Sequence, residues 1–343
     1  MTTTIKHVGH DEPEVLLARA RRLCDPVIQA GVAGLPEPLR RMAGYHFGWC
    51  DAVGAPRQEL SGKALRPALT LGTAAACGGD RTVAVSPAVA VELIHNFTLI
   101  HDDVIDRDAT RRARATVWAV WGIPDAILLG DALHALAIKI LSTGLPGVAA
   151  MAAIDRIEAT VIELCRGQHQ DCAFETRTTV GIDDYLTMAM GKTGALMGCA
   201  CALGALGAGA APDQVAVMDR FGRELGVAFQ CVDDYLGIWG DPATTAKPVG
   251  SDIARCKRSL PVVAALEWGG AAARELASLY RSDTDMTAVE VARAVRLIES
   301  TGAKDTALQH AEQRLHAALD LLPDTVEAGE LTALAYLATR RNR

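Results

Sequence analysis

Apolar residues return every three to four positions along almost the whole chain, the spacing of amphipathic helices. The pattern predicts helices over roughly 14–31, 37–53, 62–77, 87–106, 124–143, 147–175, 182–209, 213–240, 260–281, 286–300, 303–321 and 328–340. Several starts carry an early proline, at Ser86-Pro87, Ile123-Pro124 and Ala211-Pro212-Asp213. Gly78-Gly79-Asp80 and Gly240-Asp241-Pro242 mark breaks. No stretch alternates cleanly enough for a strand, no segment repeats at a fixed period, and no long linker divides the chain. One all-α domain over 1–343 is expected, with 1–13 flexible and 340–343 a basic tail.

Composition sharpens this picture. Half of the 343 residues are hydrophobic but only 4% are aromatic, so alanine, leucine and valine must fill the core. That favours close helix packing over β-sandwiches, which lean on β-branched and aromatic residues. A net charge of −7 and a pI near 5.7 argue against a nucleic-acid partner. Nine scattered cysteines with no CxxC pair fit a reduced, cytoplasmic setting. The first residues show no apolar signal-peptide core. Gly194–Pro212 is uncharged yet mostly alanine and glycine, which reads as a buried, closely packed helix rather than a transmembrane span.

Against this background two acidic clusters stand out, each inside an apolar helix pattern. The first is Leu99-Ile100-His101-Asp102-Asp103-Val104-Ile105-Asp106, the second Phe229-Gln230-Cys231-Val232-Asp233-Asp234-Tyr235-Leu236. Carboxylates in such surroundings cost several kcal/mol unless paired or bound to a cation. On an ideal helix His95, Asp102 and Asp106 fall within about 40° of one another. Gln230, Asp233 and Asp234 also share a face, at i, i+3 and i+4. Hard oxygen donors in twos and threes suit Mg²⁺, which takes its remaining ligands from water and phosphate. A lone DDxxD is equally compatible with a solvated helix end; its neighbours separate the two readings.

Those neighbours are basic. Arg107, Arg111, Arg112 and Arg114 follow the first cluster, and guanidinium forks match phosphate oxygens. Gly62-Lys63-Ala64-Leu65-Arg66-Pro67 puts Lys63 and Arg66 three apart, on one face of a helix start, and with His95 they make a candidate pocket for a second, metal-free diphosphate. Alone, the two would be ordinary surface charges. Between the acidic regions lie Gln168 and Met190-Gly191-Lys192-Thr193-Gly194, the latter by itself no more than a helix kink.

In order, GKALRP, ELIHNFTLIHDDVID, the two arginines, GQ, GKTG, FQCVDDYLGIWGD and KPVGSD resemble the trans-isoprenyl diphosphate synthase (polyprenyl synthetase) family over about residues 45–265. The resemblance implies an all-α bundle around a deep cavity, a homodimer, and head-to-tail condensation of isopentenyl diphosphate with an allylic diphosphate. It implies three Mg²⁺, with Mn²⁺ able to substitute. Carried over residue by residue, Asp102 and Asp106 are metal ligands with Asp103 in support, and Asp233 is one with Asp234 beside it. Arg111, Lys192, Lys247 and Lys257 would clamp the allylic diphosphate; Lys63, Arg66, His95 and Arg112 would hold isopentenyl diphosphate. The oxygens of Thr193 and Gln230 would face the allylic cation. Phe97 and Thr98 would set product length, and an aromatic five residues before the first aspartate resembles the geranylgeranyl pattern.

The chain departs from that pattern at Gly237, where many members carry a third aspartate, at Ala113 and Ala115 in place of glycine and proline, and at Ala246. Farnesyl or longer polyprenyl products, a class I terpene cyclase and a non-catalytic regulatory subunit are the alternatives. A cyclase would need an Asn/Asp…Ser/Thr…Glu motif where VDDYLGIWGD stands, and a regulatory subunit would tend to lose an aspartate motif.

Overall fold

The computed structural model describes residues 12–57, 62–240, 250–281 and 286–340. The helices follow the expected order, with a short α5 added and the 182–209 segment divided into α8 and α9: α1 Pro13–Ala33, α2 Leu39–His46, α3 Leu65–Ala76, α4 Val85–Ile105, α5 Val117–Trp121, α6 Ile123–Gly144, α7 Gly147–Thr176, α8 Ile182–Ala189, α9 Ala195–Gly207 and α10 Pro212–Trp239. Beyond them come Leu260–Trp268, Gly270–Leu279, Ala288–Ser300, Ala303–Asp320 and Gly329–Thr339, with a single turn at Ser251–Ala254. The fold is all-α. Prolines sit in the first turns of α1, α6 and Leu260–Trp268, where the missing N–H costs no helical hydrogen bond.

Local chemistry explains the differences from the periodicity. The segment expected over 37–53 stops at His46, where Trp49 N–H turns back to the Gly44 carbonyl. That expected over 260–281 breaks at Gly269 and Gly270, which adopt φ of +80° and +77°. The helix expected from 62 starts at Leu65, because Ala64 takes φ +55°. Lys63 therefore lies on the entering segment, while Arg66 lies on the helix.

By contacts the described residues fall into two units, each with its own core. One comprises Met1–Glu158, Cys199–Asp219 and Leu322–Leu337; the other Ala159–Gly198, Arg220–Leu321 and Ala338–Arg343. In the first, α4 packs along α6 and against α1 and α3, and its Leu93, Ile94 and Ile100 are completely enclosed. In the second, Phe174, Tyr185, Met188, Val227, Cys231, Leu260 and Val263 form one cluster under α8 and the second acidic helix. All nine cysteines are free thiols.

Three stretches, Arg81–Ile105, Ile123–Gly144 and Ile182–Gly207, are long and apolar enough to cross a membrane by length and composition. Burial within the protein covers 56%, 39% and 83% of these windows, so α6 is the least buried of the three.

A two-stranded hairpin, absent from the periodicity, follows α4: Thr110–Arg111 (β1) pairs with Arg114–Ala115 (β2). Its turn residues Arg112 and Ala113 both have positive φ, +52° and +60°. Such hairpin turns ordinarily take Asn-Gly, because an L side chain in the left-handed region costs roughly 1–2 kcal/mol. Ala113→Gly is therefore expected to stabilise the protein by about 0.5–1 kcal/mol after the greater unfolded-state entropy of glycine is allowed for. A urea titration with unchanged m-value measures this.

Candidate active site

The first acidic helix sorts its carboxylates by depth. Asp103 is 2% exposed and receives the Arg111 fork, with Nε and Nη2 at 2.8 and 2.7 Å from Oδ1. Burial pushes its carboxyl up to about 6, against the pull of Arg111. Asp102 and Asp106 are half-buried. Arg111, read from sequence as a diphosphate ligand, is thus also the internal counter-charge of Asp103. The hairpin that carries it is anchored to α2: Tyr45 Oη–H donates to the Ala115 carbonyl at 2.8 Å, and the Arg114 guanidinium lies 4.3 Å over the Tyr45 ring. Arg111, Arg112, Arg114, His46 and Asp103 line a cavity of about 270 Å³.

The second basic group gathers nearby in the same unit. A Cβ on Gly62 would lie 3.0 Å from Arg112 Nη2, so the segment bearing Lys63 runs against Arg112. Arg21 on α1 donates to the Gly62 carbonyl at 2.5 Å. Burial, then Arg66 and Arg112, press the His95 imidazole well below its usual range. Arg66 and Arg112 thus lie close enough to His95 to act on its charge. Glu92, which sequence reasoning passed over, is the carboxylate among them: burial raises its pKa while Arg66 lowers it. Asn96 Nδ2 donates to Glu92 Oε1 at 3.2 Å, and Asn96 Oδ1 lies 2.9 Å from His46 Nε2. Glu92 and Asn96, one turn apart and flanking His95 in an apolar helix pattern, were the available signal.

Phe97 is 9% exposed, stacked on His134 of α6 with ring centroids 5.4 Å apart, and edge-on to His101. His134 is itself ion-paired to Glu158 at 2.8 Å. The hydroxyl of half-buried Thr98 bonds back to the His95 carbonyl.

In the other unit, Met190–Gly194 forms a π-turn between α8 and α9, a distortion frequent at functional sites. Lys192 on that turn meets Asp171 at 2.5 Å, a partner three residues after Gln168 that sequence reasoning missed. α7 and the turn touch backbone to backbone: a Cβ on Gly167 would lie 2.3 Å from the Lys192 nitrogen. Thr193 Oγ1 lies 2.6 Å from Gln230 Oε1, and Gln230 Nε2 donates to Asp234 Oδ1 at 2.8 Å. Asp234 is 7% exposed and also accepts from Tyr185 Oη at 2.7 Å and the Leu260 amide at 2.8 Å. Burial raises its carboxyl to about 6 despite these donors. Asp233 beside it is half-buried. Arg223 on α10 forks onto Glu163 of α7 at 2.8 and 2.9 Å, which sets the height of the acidic helix against α7.

The departure at Gly237 has a spatial counterpart. A Cβ there would lie 2.6 Å from Asp252 Oδ2, so the Asp252 carboxylate occupies the place beside the helix one turn after Asp233. Lys257 follows and donates its amide to the Asp252 carbonyl. Lys247, Ala246, Asp241 and the tail beyond Arg340 lie outside the described residues. Among the described residues, no three His, Cys, Asp or Glu side chains already converge as a metal cage.

Residues 49–298 match the family model described as polyprenyl synthetase. The chain belongs to the polyprenyl synthetase family. It is a trans-prenyltransferase of isoprenoid biosynthesis, and this family uses Mg²⁺ in catalysis. Geranylgeranyl diphosphate synthase of Mycobacterium tuberculosis is 52% identical over 334 residues, covering 97% of this chain and 95% of that protein. The (2E,6E)-farnesyl diphosphate synthase of the same organism is 42% identical, covering 95% and 92%. The crystal structure of a polyprenyl synthetase from Streptomyces coelicolor superposes with a TM-score of 0.89 at 42% identity, over 94% of this chain and 98% of that one.

Two outcomes follow for this prenyltransferase. Gly167→Ala is expected to cost about 1–3 kcal/mol from overpacking against the Lys192 backbone; thermal denaturation tests this. His46 is held down to about 4, first by burial and then by three arginines, against the pull of Asn96. A base with lowered folded pKa gives stability that is present above its unfolded value near 6.5 and lost as pH falls toward 4. His46→Gln should flatten stability against pH in that window, read from urea titrations at several pH values.

Proposed function

We propose that the chain condenses isopentenyl diphosphate head-to-tail with an allylic diphosphate and that its product is geranylgeranyl diphosphate. The observation that carries the product is Phe97, buried five residues before Asp102 and backed by His134. The 52% identity to a geranylgeranyl diphosphate synthase supports it.

Asp102, Asp106 and Asp233, with hard oxygen donors and partly exposed carboxylates, are the residues that would hold three Mg²⁺; Asp103 and Asp234 support them from behind, and Asp252 stands where Gly237 leaves room. When bound, the metal neutralises diphosphate charge and makes the group a better leaving group. Arg111, Lys192, Lys247 and Lys257 bind the allylic diphosphate. Lys63, Arg66, His95 and Arg112 bind isopentenyl diphosphate, which carries no metal. The C1–O bond of the allylic substrate breaks, the double bond of isopentenyl diphosphate attacks C1, and a proton leaves C2. The departing diphosphate is the base. Thr193 and Gln230 offer oxygens to the developing cation, and exclusion of water prevents its capture as an alcohol.

A homodimer accords with the exposed apolar residues of α6, where Ile123, Ile127 and Leu128 are 49%, 42% and 56% exposed.

Purified protein with Mg²⁺, isopentenyl diphosphate and allylic primers, followed by mass spectrometry, tests the reading. Geranylgeranyl diphosphate is the expected product; farnesyl diphosphate would instead place the chain with its 42% identical relatives. Phe97→Ala should lengthen the product and Thr98→Phe shorten it. An unchanged product distribution in both variants would reduce Phe97 and Thr98 to packing residues.

A further inference from the structure

The chain Thr193–Gln230–Asp234 has a direction, and its fixed end is a backbone amide. The Leu260 N–H can only donate, and it donates to Asp234 Oδ2 at 2.8 Å. The Tyr185 hydroxyl donates to the same oxygen at 2.7 Å. Asp234 as a carboxylate only accepts, so Gln230 must turn its NH₂ toward Oδ1, 2.8 Å away. Its carbonyl oxygen then faces Thr193 Oγ1 at 2.6 Å and takes the single hydroxyl proton. Thr193 is left with lone pairs alone for whatever approaches it.

We infer that Asp234 is a positioning residue which, through Gln230, holds Thr193 as an acceptor-only oxygen. This rests on the reading that Thr193 faces the reacting allylic carbon. An oxygen with its proton committed elsewhere stabilises positive charge at that carbon, whereas a hydroxyl turned the other way would aim a positive hydrogen at it. The second aspartate of the later motif is then kept for the polarity of a hydrogen-bond chain. Its three donors and its burial account for both oxygens without a cation.

In Asp234→Asn the side-chain oxygen must stay on Leu260 N–H and Tyr185, so the new NH₂ faces Gln230. Gln230 flips and donates to Thr193, which spends one of its two lone pairs on that bond and turns its hydroxyl proton outward. Adding Gln230→Glu removes the conflict: the Glu side chain accepts from the Asn NH₂ and from the Thr193 hydroxyl, and the original direction returns. The experiment measures kcat and both KM values for wild type, Asp234→Asn, Asp234→Asn/Gln230→Glu, Thr193→Val and Asp234→Asn/Thr193→Val, with thermal unfolding of each. Asp234→Asn should lower kcat about 10²-fold with both KM values unchanged. Thr193→Val should add nothing in that background, and the charge-swapped double variant should recover most of the loss. A double variant no better than Asp234→Asn, or an Asp234→Asn defect relieved by excess Mg²⁺, overturns the inference. Should Asp234→Asn fail to fold, the double variant decides alone: kcat near wild type supports the inference, and a loss as large as that of Thr193→Val refutes it. Full activity of Thr193→Val in the wild-type background removes Thr193 from the reacting carbon, and the inference with it; a disabled Thr193→Val beside an unrescued double variant removes the inference alone.

Discussion

The constraint on which the rest depends is the charge compensation of carboxylates set into apolar helices. A buried ionised carboxylate without partners is too costly to keep. Each acidic motif meets this constraint by turning one aspartate inward onto fixed donors. Asp103 takes the Arg111 fork, and Asp234 takes a tyrosine, an amide side chain and a backbone N–H. The partners differ in kind, an ion pair in one unit and neutral donors in the other. In both, the inward residue locks the rotation of its helix, so its neighbours Asp102, Asp106 and Asp233 keep their half-buried placement.

The basic groups are positioned by features that break regular helix. Arg111, Arg112 and Arg114 sit on a hairpin whose two turn residues take positive φ, Lys63 precedes a helix that starts only after a left-handed Ala64, and Lys192 lies on a π-turn. A regular helix would spread these cations around its circumference. The irregular segments carry them on short, anchored stretches, with Tyr45, Arg21 and Asp171 as the anchors. A carboxylate on Lys192 and another among Arg66 and Arg112 keep these positive clusters from repelling themselves apart before an anionic substrate binds.

Much of this was legible in the chain. Helix order follows from the period of apolar residues, because burying one face is the largest driving force for each helix and depends only on spacing. The acidic motifs and the cations around them could be read for the same reason: charges inside apolar patterns are costly and therefore informative. The hairpin escaped because two-residue strands have no alternation to detect. The break at Gly269-Gly270 escaped because the apolar period runs on through it.

What the sequence determined by itself is the all-α fold, the ordered acidic and basic motifs and, with them, the polyprenyl synthetase family. These depend on residue type and separation along one chain, which are local quantities. Only the tertiary structure decided which aspartate of each pair faces inward, since Asp102 and Asp103, or Asp233 and Asp234, are chemically identical until Arg111 or Tyr185 arrives from another part of the chain. It likewise decided that Asp171 holds Lys192, that Asp252 fills the space over Gly237, and that Gln230 lies with its oxygen toward Thr193. Each is a contact between residues distant in sequence, whose partner and direction are set by packing and by hydrogen-bond donors that only the folded chain brings together.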